Sequence, residues 1–398
     1  MAEFPWLTIV GIGEDGWDGL SRAARTALEA AELVMGSSRH LALVPALTVE
    51  TREWPVPFAA GIPLLLEARG RRVVMLASGD PFWFGAGTSV TRHLAPGEWV
   101  AHPAPSSFAL AAARLGWSLQ DSICLGLHAA PFGRLRPHLA PASRLLLLIR
   151  DGVAASTLAS YLEGAGFGAS VLHILEALGG PRERIRQCLA EAFDLEDVAH
   201  PVLIGVEVRG VGEALPRASG LDDAWFASDG QMTKRPVRAL TLSALAPRPG
   251  ELLWDLGAGS GSVGIEWLLA HPAMRAVAVE ADATRAARAQ ANAAALGVDR
   301  LQLCIGRAPE ILPRETPDAV FIGGGLSAAL LEALWARLPT GTRIVANAVT
   351  LESEALLAVW QRERGGTLLR IELADAAPLG SRTGWRARYP VVQWSVTR

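Results

Sequence analysis

Lysine is almost missing from this chain. Lys234 is the only one, and arginine carries the rest of the fixed positive charge. Such usage reads as the codon bias of a GC-rich genome and excludes no function by itself. Cysteine is scarce as well. Cys124, Cys188 and Cys304 lie too far apart for zinc spacing and are odd in number for a disulfide framework, so a reducing cytoplasm is the expected compartment. An excess of one charge sign is also lacking: a formal net charge of −3 over 398 residues gives no electrostatic footprint for nucleic acid. Long apolar runs are absent too. The run LLLLI at 145–149 is closed by Arg144 and Arg150, far short of the ~20 residues that span a bilayer. The N-terminus, MAEFPWLTIVGIG, has no basic region ahead of its apolar stretch and reads as a first strand, not a signal peptide. What remains is a chain with half its residues apolar, enough for two or three packed globular domains.

The stretch 252–267, LLWDLGAGSGSVGIEW, is the most informative in the chain. An apolar run ends at Asp255, glycines follow at Gly257, Gly259, Gly261 and Gly264, and an apolar helical pattern begins. This is strand, tight turn and helix start, the nucleotide corner of a doubly wound α/β domain. Glycine is required where a side chain would hold a ligand off the backbone. Further strands are expected at 276–279, 301–305, 319–322 and 343–346. They end in Glu280, in Gly306-Arg307-Ala308, in Gly323-Gly324-Gly325 and in Asn347. Glu280 lies about twenty residues past the glycines, the spacing at which a carboxylate meets both ribose hydroxyls. Gly259, Gly261 and Gly264 equally fit the dinucleotide pattern G-x-G-x-x-G. Asp255, two residues before Gly257, and the strand-ending GRA resemble class I methyltransferases and favour S-adenosylmethionine. Ala308 then lies where the adenine would, with Arg307 in place of the usual acid. DAVFIGGG at 318–325 lacks the Pro-Pro-aromatic signature of enzymes that methylate nucleobase amines.

The first half reads as an alternation of strands and helices. Strands are expected at 6–13 and 72–77, two more ending at Leu127-His128 and at Arg150-Asp151-Gly152, and others at 171–175 and 201–208, with helices at 21–33 and 108–115. Ser21 is a plausible N-cap. Strand ends rich in Gly, Ser, Asp and His suit a site along the carboxyl edge of a sheet. Gly11, Gly79, Asp80 and Ser106 are its candidate residues. His128 reads as either a proton carrier or a hydrogen-bonded structural histidine, and Arg134 and Arg136 as either carboxylate ligands or a solvated loop.

This half resembles the tetrapyrrole methylases, S-adenosylmethionine-dependent enzymes that methylate the corrin precursor ring. The pieces are VGIG, ASGDPFWFG, PAPSS, LGLH and EALGGPRERI, in that order. Members often carry Gly-Pro-Gly after the first strand, where this chain has Gly13-Glu14-Asp15-Gly16. The segment 210–224 is read as a linker between a domain at 1–209 and one at 225–398. After it, MTKRPVR brings the sole lysine beside Thr233, read as either a capping turn or a lid over the cofactor. That segment, with DLGAGSGSVGIEW, VEAD, GRAPEIL, FIGGG and NAVTLE, resembles the class I methyltransferase domain of cobalamin synthesis.

The resemblances imply an N-terminal tetrapyrrole methylase fold joined to a C-terminal Rossmann-like class I methyltransferase fold. They imply S-adenosylmethionine as cofactor and a tetrapyrrole substrate, methylated at carbons 5 and 15, with loss of the carbon 12 acetate carboxyl. No metal or pyridoxal group is implied. Cofactor contacts are then expected from Thr233, Gly257, Ala258, Gly259, Ser260, Gly261, Glu280, Ala308 and Gly323, besides the first-half residues above. A substrate with many carboxylates needs arginines, which can bind each one bidentately. Lys234, Arg238, Asn347 and Arg382 are the substrate-site candidates, with Arg386 and Arg388 near the last. A cytoplasmic homo-oligomer binding neither nucleic acid nor membrane is expected. Two other readings stay open: a different substrate such as RNA, or a first half that is a non-catalytic scaffold.

Overall fold

The computed structural model describes residues 5–398; residues 1–4, where the N-terminal reading begins, lie outside the described residues. The chain forms two compact units. One reaches Pro131 and resumes over Leu139–Glu213, and the other joins Phe132–His138 to Ala214–Arg398. The segment read as a linker is divided between them. Val211 and Gly212 donate to the carbonyl of Gly166 in the first unit, whereas Leu221 is buried in a core of the second.

The first unit holds two five-stranded sheets. Its first sheet has the order β3-β2-β4-β1-β5, from β1 (Leu7–Ile12), β2 (Leu33–Gly36), β3 (Glu50–Glu53), β4 (Val73–Ser78) and β5 (Trp99–His102). All its pairings are parallel. β1, β2 and β4 are buried almost throughout, which is why they read as unbroken apolar runs. Three strands of this sheet, β2, β3 and β5, escaped the sequence reading. The helix expected at 21–33 stops at Glu29, because Leu33 already belongs to β2, buried between β3 and β4. β3, ETRE, is a polar edge strand with no apolar period to betray it.

The second sheet has the order β6-β7-β10-β8-β9, from β6 (Ser122–Gly126), β7 (Arg144–Leu148), β8 (Val171–Glu176), β9 (Arg184–Leu189) and β10 (Val202–Glu207). Only β6–β7 is parallel. β10 runs antiparallel to both β7 and β8, so the expected single carboxyl edge does not extend across this sheet.

The second unit is a seven-stranded sheet, β13-β12-β11-β14-β15-β19-β16. Its strands are β11 (Leu252–Leu256), β12 (Arg275–Glu280), β13 (Gln302–Ile305), β14 (Ala319–Ile322), β15 (Arg343–Ala348), β16 (Thr367–Ile371) and β19 (Val391–Thr397). The pairings from β13 to β15 are parallel, and β19 enters antiparallel between β15 and β16. A separate hairpin, β17 (Ala374–Leu379) with β18 (Arg382–Ala387), precedes β19. Alternate residues of β11, β12 and β14 enter two cores. Leu253, Ala276, Ala278 and Phe321 join one with Leu242, Ile265 and Trp267; Trp254, Val277, Val279 and Ile322 join the other with Leu334 and Trp360. Burial on both faces is what a parallel run of strands requires. The chain leaves β11 toward β12 on one side and returns to β14 on the other, so a crevice opens beyond Leu256 at this switch point.

Among the described residues, no helix is long and apolar enough to cross a membrane.

Candidate functional site

The glycine corner sits at that crevice. Gly257, Gly259 and Gly261 all have positive φ, +71°, +59° and +76°. A Cβ on Gly257 would stand 2.6 Å from the backbone of Gly324, so glycine lets the turns after β11 and β14 touch. At Gly259 a Cβ would meet nothing nearer than the Gln231 carbonyl at 3.6 Å, so the space there is open. The glycine is needed for its left-handed backbone. Glu280 braces the turn: its Oε2 accepts from the Gly259 N–H at 2.8 Å and its Oε1 from the Asp282 N–H at 2.9 Å.

Asp255 faces away from the crevice. It is buried in the sheet, and its Oδ2 accepts from the Gly264 N–H at 2.9 Å, pinning the helix Ser262–Ala270 to β11. Among the described residues its Oδ1 has no hydrogen-bond partner. Burial first, and the Glu280 charge besides, raise its pKa to about 7.

A cavity of about 790 Å³ opens over this corner. Of the expected cofactor residues, Thr233, Gly257, Ala258, Gly259, Glu280, Ala308 and Gly323 line it. Ser260 and Gly261 do not. Ser260 is buried and its carbonyl accepts from Asn292 Nδ2, while Gly261 is the N-cap of the next helix, against Ala289. Their part is to shape the turn.

Lys234 and Asn347 also line the cavity. The Lys234 ammonium is 3.8 Å from Asp223 and its side chain is 43% exposed, leaving donors for a ligand. Asn347 Nδ2 donates to Thr241 Oγ1 at 2.9 Å and its Oδ1 accepts from Gln393 at 3.0 Å, so its amide orientation is set.

The other two substrate candidates are corrected by the structure. Arg238 is fully buried, paired with Glu266 at 2.5 Å and with Asp223 at 3.1 Å, and donates to the carbonyls of Thr233 and Leu221. Its charge is spent anchoring 221–238. Arg382 is exposed on the β17–β18 hairpin and does not line the cavity. Arg388 does line it, with its guanidinium engaged by Asp375. Arg134 is held bidentately by Asp299, and Arg136 stacks 4.7 Å over Trp225, so both serve structure within the second unit.

The segment 230–234 lines the cavity beside the glycine turn. Thr233 does not cap the following helix; Lys234 is the N-cap and makes no side-chain cap bond. Two buried side chains tether the segment's approach. Glu266 accepts from the N–H groups of Gly220 and Leu221, and Asn292 bonds both backbone groups of Ala227 as well as the Ser260 carbonyl. Arg285, a wall residue that sequence reasoning missed, ties Asp229 and Gln231 to its helix. No local pattern announces that pairing, since its partners are more than fifty residues apart.

The first unit has its own cavity, of about 450 Å³, lined by Gly79, Asp80, Ser106 and His128 among others. Gly11 is not in its wall. A Cβ there would lie 2.0 Å from the Gly79 carbonyl oxygen, so Gly11 serves the approach of β1 to the turn after β4. Asp80 Oδ1 accepts from the Phe82 N–H at 2.8 Å and shapes that turn, and Ser106 caps the helix Ser107–Leu115 through the Ala109 N–H. His40, held to Ser78 at 2.9 Å, is lowered to about 4 by burial and by neighbouring Arg39, so it is neutral at pH 7. The atypical loop after β1 is explained too: Glu14 lines the cavity and is buried, paired with Arg39 and Arg182.

Residues 6–194 match the family of tetrapyrrole (corrin/porphyrin) methylases, and residues 224–398 match the precorrin methyltransferase domain. A relative from Sinorhizobium sp, named precorrin-6Y C(5,15)-methyltransferase [decarboxylating], is 48% identical over 400 residues, covering 99% of this chain and 97% of its own. A probable cobalt-precorrin-6B C(15)-methyltransferase (decarboxylating) from Pyrobaculum calidifontis is 41% identical over 142 residues, 34% of this chain and 72% of its own. A cobalt-precorrin-7 C(5)-methyltransferase from Salmonella typhimurium is 27% identical over 201 residues, 50% of this chain and 98% of its own.

Proposed function

The chain belongs to the precorrin-6Y C(5,15)-methyltransferase (decarboxylating) family, and from that premise we propose that its two units divide the work. It is a decarboxylating carbon methyltransferase of cobalamin biosynthesis. In our reading the first unit methylates carbon 5, and the second methylates carbon 15 and releases the acetate carboxyl on carbon 12. The observation that carries this is a separate cavity in each unit, with a glycine turn in the wall of each. Relatives named for the carbon 5 and carbon 15 reactions as shorter, separate chains support the division.

S-adenosylmethionine is the methyl donor we assign to both cavities. The second unit's residues fit it. The left-handed turn admits a nucleoside against its backbone, and among the described residues Glu280 accepts only backbone N–H groups, keeping lone pairs for ribose hydroxyls. Val279, Ala308 and Phe321 give apolar wall for an adenine. When bound, this cofactor supplies an electrophilic methyl group on a sulfonium.

The chain's task is alignment. The reduced macrocycle is itself an enamine-like nucleophile, so no strong base is needed. Holding nucleophile and methyl in line is worth ~7–11 kcal/mol of a barrier. Lys234 offers a charge to a ring carboxylate, and Asn347 offers an amide held in one orientation. In the decarboxylation, the bond to the carboxyl carbon breaks, carbon dioxide leaves, the electron pair is held by the conjugated ring, and a proton from solvent then takes the carboxyl's place on the former acetate carbon.

Incubation of the purified full-length chain with its reduced tetrapyrrole and labelled donor tests this reading. The product mass should show two added methyl groups less one carbon dioxide. One methyl with the carboxyl retained means that a single unit works.

A further inference from the structure

The loop after β1 places one buried carboxylate against two arginines from distant parts of the first unit. Glu14 is 8% exposed. Its Oε1 pairs with Arg39, and its Oε2 accepts from Arg182 at 3.0 Å. Arg39 is also held by Ser78 Oγ at 2.9 Å. Arg182 is 64% exposed and donates to nothing else among the described residues. The approach is built into the backbone: a Cβ on Gly180 would fall 2.5 Å from the Glu14 Cβ, so only glycine lets the turn after β8 lie on this loop.

The electrostatics leave this cluster short of one anion. One carboxylate faces two guanidiniums, and neither nearby histidine offsets or adds charge at neutral pH. His40 is lowered to about 4, and His200 is lowered by burial and then by Arg39. Asp151, the other acid near His200, is engaged by Arg150 at 2.8 Å. Glu14, Arg39 and His200 all line the cavity. A guanidinium binds carboxylates through paired N–H groups, and each arginine here gives Glu14 only one.

We infer that Arg39 and Arg182 form the receptor for one carboxylate of the substrate ring, and that Glu14 is an internal carboxylate holding both until the substrate arrives. Substrate binding exchanges a protein carboxylate for a ligand carboxylate at the same pair of guanidiniums. Glu14 therefore competes with the ligand, whereas the two arginines bind it. The inference rests on reading the first unit as acting on a polycarboxylate tetrapyrrole.

Fluorescence titration of the full-length chain with a porphyrin octacarboxylate tests it, using Arg39→Gln, Arg182→Gln, Glu14→Gln and the exposed control Arg22→Gln. Each of the first two should weaken binding by about tenfold. Glu14→Gln should tighten it, by about threefold, and Arg22→Gln should leave it unchanged. If Glu14→Gln weakens binding as the arginine variants do, Glu14 only supports the loop and the inference falls. Unchanged binding by Arg182→Gln, whose exposed side chain makes misfolding a small risk, overturns it as well. Methyl transfer by the wild type is measured alongside. Transfer with indifferent arginines defeats this inference alone, and no transfer to any tetrapyrrole defeats the reading beneath it.

Discussion

The carboxylate of Glu280 accepts a 2.8 Å hydrogen bond from the backbone N–H of Gly259, twenty-one residues earlier in the chain. One side chain at the end of β12 thus both shapes the glycine turn and faces the cavity beside it. Glu280→Ala should free the N–H groups of Gly259 and Asp282 and remove the ribose acceptor. One of two S-adenosylhomocysteine sites in the full-length chain should weaken by about tenfold or more, since hydrogen bonds to charged groups are worth ~1.5–3 kcal/mol. Calorimetric titration with two unaltered sites would rule out the assigned ribose contact.

The glycines of the corner should not be equivalent. Gly257→Ala drives a Cβ to 2.6 Å from the Gly324 backbone at a φ of +71°, so it should destabilise the second unit and separate the turns after β11 and β14. Gly259→Ala meets open space and carries only the left-handed strain, roughly 1–2 kcal/mol. Thermal unfolding should show the larger loss for Gly257→Ala. Gly259→Ala should stay folded and lose cofactor affinity; equal melting losses would contradict this ordering.

Stability should carry the mark of Asp255. Its folded pKa is raised from 3.8 to about 7. Between those values the folded state holds a proton that the unfolded state has released, so stability falls as pH rises through the window. The slope is roughly 1.4 kcal/mol per pH unit at its steepest. Against the Asp255→Asn variant, the wild type should lose unfolding free energy from pH 4 to pH 7 and then run level. Parallel curves throughout would mean that Asp255 titrates normally.

The Arg238–Glu266 pair predicts an asymmetry. Arg238→Met leaves Glu266 buried without its cation and should destabilise the second unit by about 3–5 kcal/mol. Adding Glu266→Gln should restore part of that loss, because no unpaired charge is left buried and the amide oxygen can still accept from one of the Gly220 and Leu221 N–H groups. Denaturant melts of the two variants and their combination measure the coupling. Strict additivity would show that the ion pair is not what anchors this segment.

Lys234→Met tests a candidate cation that lines the cavity. With the side chain 43% exposed and its nearest acid at 3.8 Å, the melting point should hold. The KM for the tetrapyrrole should rise several-fold with little change in kcat. An unchanged KM would place the ring carboxylates elsewhere.

Local sequence determined a good deal of this protein. The strand, turn and helix around Gly257–Gly264 were legible because each depends on nearby residues: an apolar run, backbone that only glycine adopts readily, and a helical period. The spacing to Glu280 was legible for the same reason, since a βαβ unit has a narrow range of lengths. Tertiary structure decided how the charges were used. Arg238 looked like an exposed ligand for a carboxylate, and folding buried it against Glu266, twenty-eight residues away. Glu14 looked like a lapse in a motif, and folding brought Arg182 to it across 168 positions. A side chain's charge is written in the sequence. Which opposite charge neutralises it, and whether water or a ligand can still reach it, depends on contacts that exist only once the chain is packed.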